Sequence, residues 1–195
     1  METLIVMGAS VGGVAALSTI FAALPAGFPA AILAVMHVGA RKSVLPDILD
    51  KVSALPVRFA ATGEAVRAGC ILLAPPDRHM LVAIAAGQAT VELTRGPREH
   101  YTRPAIDPLF RSAAAVFGPK VAGVILSGYL DDGTAGLRAI KACGGKALVQ
   151  EPREAQAPSM PQSALAHVDV DWRLPVAGIA PVLLALAGTG RVAFA

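Results

Sequence analysis

The sequence predicts an α/β fold: a mainly parallel, doubly wound sheet with helices on both faces and a small antiparallel hairpin insert. Three observations carry that expectation. Short apolar runs of strand length alternate with helix-length segments through most of the chain. Apolar residues make up 54% of the 195 and charged residues only 16%, which excludes disorder and calls for elements buried on both faces. Aromatic residues are 5%, so Ala, Val, Leu and Ile must build the core, punctuated by 19 Gly and 15 Pro. The length suits a single domain over residues 1–195, because two cores would both be undersized.

Taken in order, Thr3 to Met7 is a buried-strand run closed by Gly8, and Val14 to Ala23 has helical spacing before Pro25. Ala30 to Met36 is the next buried strand. Ser43 carries N-cap chemistry for a helix from Val44 to Lys51, with Pro46 tolerated in the first turn, and Val57 to Ala60 is a short strand. Gly69 to Ala74, Met80 to Ala85 and Ala89 to Leu93 are brief runs split by Pro75-Pro76-Asp77 and Gly87-Gln88, the pattern of an antiparallel or hairpin insert. Asp107 to Phe117 returns to helix. Val121 to Leu126 is the most strand-like run, followed by Gly128, a loop, and a helix from Thr134 to Ala142 that stops at Gly144-Gly145. Lys146 to Val149 reads as strand, Met160 to Ala166 as a short helix, and Pro175 to Ala187 as a closing amphipathic helix.

Charge and cysteine usage narrow the function classes. A net charge of +3, from 17 cations and 14 anions, does not imply a nucleic-acid partner. Arg95, Arg98, His100, Arg103 and Arg111 form one basic concentration, readable as a solvated loop or as a docking patch for an acidic partner. Cys70 and Cys143 stand far apart in apolar company, so neither a redox pair nor a zinc cluster is expected, and a reducing, cytoplasmic setting fits. Pro25, Gly27 and Pro29 interrupt the apolar stretch from Val14 to Met36, so no membrane insertion is expected; no secretory signal, lipid anchor or internal repeat is found.

In a parallel sheet, reactive groups gather at the carboxyl ends of the strands. Gly8-Ala9-Ser10-Val11-Gly12-Gly13 lies between a strand and a helix and matches G-x-S-x-G, where glycines permit a sharp turn and leave the serine hydroxyl exposed. Ser10 as a plain helix cap, or the turn as a phosphate cradle, are the competing readings. His37 directly follows the Ala30–Met36 strand, at the same sheet edge as Ser10, whereas His79, His100 and His167 sit in a turn, an arginine-rich loop and behind a late helix. Asp131 and Asp132 follow the Val121–Leu126 strand and open onto that edge too; either also suits a helix cap or an Asp-Gly turn. Hydroxyl, imidazole and carboxylate at three strand ends point to acyl transfer. Their order, Ser, His, Asp, differs from that of the α/β-hydrolases.

Segments in one order carry a family likeness. They are Ile5 to Gly13, Val35-Met36-His37, Leu73-Ala74-Pro75-Pro76-Asp77-Arg78-His79, Arg103-Pro104-Ala105-Ile106-Asp107-Pro108-Leu109-Phe110, Val124 to Gly128 with Asp132-Gly133, and Met160-Pro161-Gln162-Ser163-Ala164. The chain, from Leu4 to about Ala187, resembles the catalytic domain of the chemotaxis protein-glutamate methylesterases, the CheB-type enzymes. The resemblance implies Ser10 as nucleophile, His37 as general base and then acid, and Asp132 as the carboxylate that orients it. It implies demethylation of glutamate methyl esters on chemoreceptor helices, with deamidation of glutamines by the same acyl-enzyme route, and neither cofactor nor metal. Methyl-accepting chemoreceptor cytoplasmic helices would be the partner, with a separate response regulator as a further one.

The chain departs from the family pattern in three places. Val11 stands where the family usually has Thr, and Ser127-Gly128-Tyr129-Leu130 replaces its usual Thr-Gly-Met-Gly; backbone N–H groups of Val11 and Tyr129 remain available as oxyanion donors, and Val11, Gly12 and Tyr129 form the expected oxyanion and substrate rim. Many relatives carry a receiver domain ahead of the esterase, whereas this chain starts at the first esterase strand; a stand-alone enzyme is the expectation that the initial Met favours, over a fragment of a longer protein or a module paired with a separate signalling partner. A short-chain dehydrogenase is disfavoured because neither Tyr101 nor Tyr129 has a Lys four residues on. The alternative function is a non-catalytic module that binds a receptor or partner through the altered rim.

Overall fold

The computed structural model describes residues 3–39 and 41–188. In chain order the elements are β1 (Leu4–Ala9), α1 (Gly13–Ala22), β2 (Ala31–Met36), α2 (Leu45–Asp50), β3 (Val57–Phe59), β4 (Ile71–Leu73), β5 (His79–Ala85), β6 (Gln88–Thr94), α3 (Ile106–Phe117), β7 (Val121–Ile125), α4 (Thr134–Ala142), β8 (Lys146–Gln150), α5 (Ser159–His167), β9 (Trp172–Leu174) and α6 (Val176–Leu186). Seven strands form one parallel sheet in the order β3-β4-β2-β1-β7-β8-β9, and β5 and β6 pair antiparallel as a separate hairpin.

Strand alternation sorts the core into two layers. Ile5, Met7 and Ala9 of β1 pack with Leu17 and Phe21 of α1, Leu49 of α2 and Leu183 of α6 on one face. Leu4 and Val6 pack on the other with Phe110 of α3, Ile140 of α4, Met160 of α5 and Val82 and Val91 of the hairpin. Both faces are therefore covered, as the apolar composition and the uniformly buried β1 and β2 require.

The chain leaves β1 toward β2 on one side and returns after the hairpin and α3 to β7 on the other. The sheet order thus reverses between β1 and β7, and the crevice beyond their carboxyl ends is where such folds place ligands.

Two expectations need correction, and one strand was not expected at all. The Gly69–Ala74 run is not part of the hairpin insert: its Ile71–Leu73 core is β4, wholly buried between β3 and β2, and only the next two runs form the hairpin. A three-residue run carries too little pattern to separate parallel from antiparallel pairing. Gly8 does not close β1 but lies within it, paired with Val35 of β2 and Ile125 of β7, and it is glycine because Ile106 packs where a side chain would be, with a Cβ there only 2.5 Å from Ile106 Cγ2. β9 has no apolar-run signature, since it is a three-residue edge strand with Arg173 exposed.

Candidate active site

Ser10 follows β1 directly and His37 follows β2 directly, each one residue past the Ala9–Met36 pair. The N–H of His37 donates to the carbonyl of Ala9 at 3.2 Å. Neighbouring strands lie about 4.8 Å apart, so hydroxyl and imidazole leave the same edge side by side. Ser127, beyond β7, completes the row by accepting the N–H of Ser10 at 2.8 Å on its carbonyl.

Asp132 reaches this edge from the loop before α4. Its Oδ2 lies 2.8 Å from Nε2 of His37 and also accepts the N–H of Ile106 at 2.8 Å, while Oδ1 accepts the N–H of Asp107 at 3.1 Å. These are first-turn donors of α3, whose own N-cap residue, Ala105, supplies no side-chain bond. Burial of Asp132, 1% exposed, pushes its carboxyl up, but the His37 bond, the Ile106 bond and the imidazole charge outweigh it and hold the group below the ordinary carboxylate range. An ionised carboxylate only accepts, so the ring nitrogen that faces it, Nε2 of His37, is the donor, and Nδ1 lies on the other side of the ring. Asp131, by contrast, is exposed and does not touch His37 among the described residues.

The Ser10-Val11-Gly12 turn is anchored peptide by peptide. Gly13 N–H donates to the Ser10 carbonyl at 2.8 Å, and the Ser127 hydroxyl donates to the Val11 carbonyl at 2.6 Å. Gly12 has φ 81°, in the left-handed region that favours glycine, and a Cβ there would meet Gln156 Cβ at 2.7 Å and Ser127 Oγ at 2.8 Å. Among the described residues, the N–H groups of Val11, Gly12 and Tyr129 have no hydrogen-bond partner, whereas Gly128 N–H is taken by the Ala157 carbonyl at 2.9 Å. The structure thus joins His37 to Asp132 and sets Ser10 beside them, without a hydrogen bond from Ser10 Oγ to His37 among the described residues.

The CheB methylesterase family model matches residues 5–183. The chain belongs to the CheB methylesterase family. A Leptospira interrogans relative is 38% identical over 183 residues, 93% of either chain. Protein-glutamate methylesterase/protein-glutamine glutaminase 4 of Anaeromyxobacter dehalogenans is 38% identical over 94% of this chain and 52% of its own, and the enzyme of Moorella thermoacetica is 39% identical over 93% of this chain and 43% of its own. This chain therefore spans about half the length of those two relatives. The crystal structure of the Thermotoga maritima CheB methylesterase catalytic domain superposes with a TM-score of 0.92 at 32% identity, covering 95% of this chain and 99% of that one.

Within this CheB-family fold, sequence reasoning placed His100 in a loop and missed its partners. Its Nε2 lies 2.8 Å from Asp107 Oδ2 and its Nδ1 3.2 Å from Asp131 Oδ1, with Asp132 Oδ1 at 3.8 Å. Two ring nitrogens facing carboxylates mark a doubly donating, cationic imidazole. Partial burial lowers the His100 pKa, but the Asp107 bond and the charges of Asp132, Asp107 and Asp131 raise it overall. Burial pushes the carboxyl of Asp107 up, in spite of the Gly136 N–H that it accepts at 2.6 Å. Among the described residues His100, Asp107 and Asp132 bring ligand atoms within 4.8 Å of one another, near enough for a cation. The carboxylate oxygens are already engaged by the N–H groups of α3 and α4 and by the two imidazoles. The group therefore acts as a clasp between helix ends.

The remaining histidines are structural. His79, 3% exposed, accepts the Ala105 N–H at 3.2 Å on Nδ1 and donates from Nε2 to the Pro97 carbonyl, and His167 Nδ1 donates back to Ser163 in its own helix. The basic loop is not simply solvated: Arg103 grips Asp77 at 2.7 Å and the carbonyls of Arg95 and Gly96, and Arg111 grips Glu99 at 2.8 Å. Arg98 has no ion pair among the described residues and lines a cavity of about 170 Å³ with His37, Tyr101 and Thr102. Val11, Tyr129 and Leu130 are exposed at the rim, and Tyr101 is 91% exposed.

Proposed function

We propose that this protein is a serine carboxylic ester hydrolase, one catalytic unit that removes methyl groups from glutamate methyl esters of a protein substrate and hydrolyses glutamine side-chain amides by the same route. The observation that carries this reading is an Asp132-bound His37, its Nδ1 without a hydrogen-bond partner among the described residues, one strand away from a turn-borne Ser10 hydroxyl. The names of the Anaeromyxobacter and Moorella relatives support the substrate.

Ser10 Oγ attacks the side-chain carbonyl carbon while Nδ1 of His37 accepts its proton, and Asp132 steadies the imidazolium. The tetrahedral oxyanion is met by N–H groups from among those of Val11, Gly12 and Tyr129, which have no hydrogen-bond partner among the described residues. Collapse breaks the carbon–oxygen bond to methoxide, or carbon–nitrogen for an amide, and His37 returns the proton so that methanol or ammonia departs. Water, deprotonated by the same ring, then cleaves the acyl-enzyme to glutamate and free Ser10. The Ser10 to His37 contact closes in the substrate complex, as such contacts commonly tighten on binding.

Cytoplasmic helices of methyl-accepting chemoreceptors are the proposed substrate, and Arg98, which has no ion pair among the described residues and lines a cavity with His37, suits an acidic one. A separate response regulator is the proposed regulatory partner. Two free cysteines fit a reducing, cytoplasmic setting, and among the described residues no helix is long and apolar enough to cross a membrane. A serine-directed fluorophosphonate tests the chemistry: labelling of the wild type but not of Ser10→Ala supports an activated hydroxyl. An unlabelled wild type would instead favour a binding module that uses the exposed rim.

A further inference from the structure

Ser127 is a buried, heavily bonded side chain beside the nucleophile, and the hydrolytic scheme gives it no task. It is 1% exposed. Its hydroxyl meets the Val11 carbonyl at 2.6 Å, the shorter of its two acceptor contacts, the other being the Ala157 carbonyl at 3.4 Å, and its oxygen accepts the Ala157 N–H at 2.9 Å. Its backbone carbonyl holds the N–H of Ser10, and its N–H donates to Oε1 of the buried Gln150 at 2.8 Å.

The consequence follows from peptide planarity. In a trans peptide the carbonyl and the next N–H point in opposite directions, so whatever fixes one fixes the other. The Val11 N–H shares its plane with the Ser10 carbonyl, which Gly13 anchors. The Gly12 N–H shares its plane with the Val11 carbonyl, and there the side-chain anchor is Ser127. Gly12 is the residue least able to hold that plane by itself, because glycine tolerates both orientations at little cost. The hydroxyl thus selects one of two orientations that the turn would otherwise share.

We infer that Ser127 is a positioning residue, whose hydroxyl holds the Val11–Gly12 peptide so that the Gly12 N–H stays aimed away from Ser127 as an oxyanion donor. It acts through that peptide and touches no reacting atom. The inference rests on the proposed role of Ser10.

The test compares Ser127→Ala, Ser127→Cys and Ser127→Thr with wild type, each checked for folding by circular dichroism and melting. Turnover is followed with p-nitrophenyl acetate and with a peptide containing a glutamate methyl ester, and binding of a phenylboronic acid reports on the tetrahedral state. Removing one oxyanion donor typically costs about 10²-fold in kcat. The expected result is a loss of that order in kcat for Ala with KM nearly unchanged, a smaller loss for Cys, weakened boronate binding in parallel, and near-complete rescue by Thr. Cys keeps the test decisive where Ala does not fold, since its thiol nearly preserves volume while donating weakly. Wild-type kcat and boronate affinity in a folded Ala or Cys variant overturn the inference, as does a loss in Thr equal to that in Ala. A wild type that neither turns over nor takes a fluorophosphonate at Ser10 instead overturns the hydrolase reading, so the two failures are distinguishable.

Discussion

Asp132 and Asp107 cap each other's helices. Asp132, from the loop that leads into α4, receives the first-turn N–H groups of α3, while Asp107, in the first turn of α3, receives the Gly136 N–H of α4. Neither helix has a side-chain cap from its own N-cap residue, so the exchange supplies what both lack. His37 sits on one member of this clasp and His100 on the other.

Removing Asp132 should therefore damage two properties at once. Asp132→Ala leaves two buried N–H groups unsatisfied and is expected to lower stability by about 2 kcal/mol or more, whereas His37→Ala, at a partly exposed site, should cost clearly less. Urea unfolding of the two variants checks the ranking, and equal losses would dissociate Asp132 from the capping role.

Activity should rank differently. Ser10→Ala and His37→Ala are expected to lose roughly 10³-fold or more in methanol release from methylated receptor fragments, with a large but smaller loss for Asp132→Asn. Asp131→Asn should stay near wild type, because its side chain meets His100 and not His37. Abolition of activity by Asp131→Asn alone would reverse the assignment of the two carboxylates.

Stability should fall away on both sides of a plateau. His100 is raised in the fold, so its contribution is complete below its unfolded value of about 6.5 and is lost as pH rises through the higher folded value. Asp132 is lowered, so its contribution is present above about 3.9 and is lost as pH falls through the lower folded value. Urea midpoints across pH 5 to 9 should decline on the alkaline side for wild type and stay flatter there for His100→Gln; parallel curves would rule out a stabilising imidazolium.

Gly128 offers a steric test of the site. A Cβ there would lie 2.0 Å from Met160 Sδ and 2.8 Å from Ser10 Cβ. Met160 is itself fully buried and Ser10 is held by the strand end, so Gly128→Ala is expected to lower kcat at least tenfold. Fluorophosphonate labelling at a wild-type rate in this variant would mean that Ser10 had not been displaced.

Salt should weaken substrate capture. Arg98 is exposed and unpaired among the described residues, so KM for an acidic receptor fragment is expected to rise with ionic strength, and less steeply in Arg98→Gln. Identical slopes would remove Arg98 from substrate recognition.

Most of the strand and helix order, β9 excepted, was legible in the sequence, because uniformly apolar runs such as Leu4 to Met7 and Ala31 to Met36 admit little but a buried parallel strand. The positions of Ser10 and His37 were legible for the same reason: a residue that follows such a run must emerge at the sheet's carboxyl edge. Periodicity is silent on what joins separate loops. That Asp132 rather than Asp131 meets His37, 95 positions away, that His100 closes on Asp107, and that Ser127 holds the Val11 carbonyl all depend on side chains brought together only by the packed layers. The membership of Ile71 to Leu73 in the parallel sheet was likewise decided by its neighbours β2 and β3, since three residues bury well in either kind of sheet.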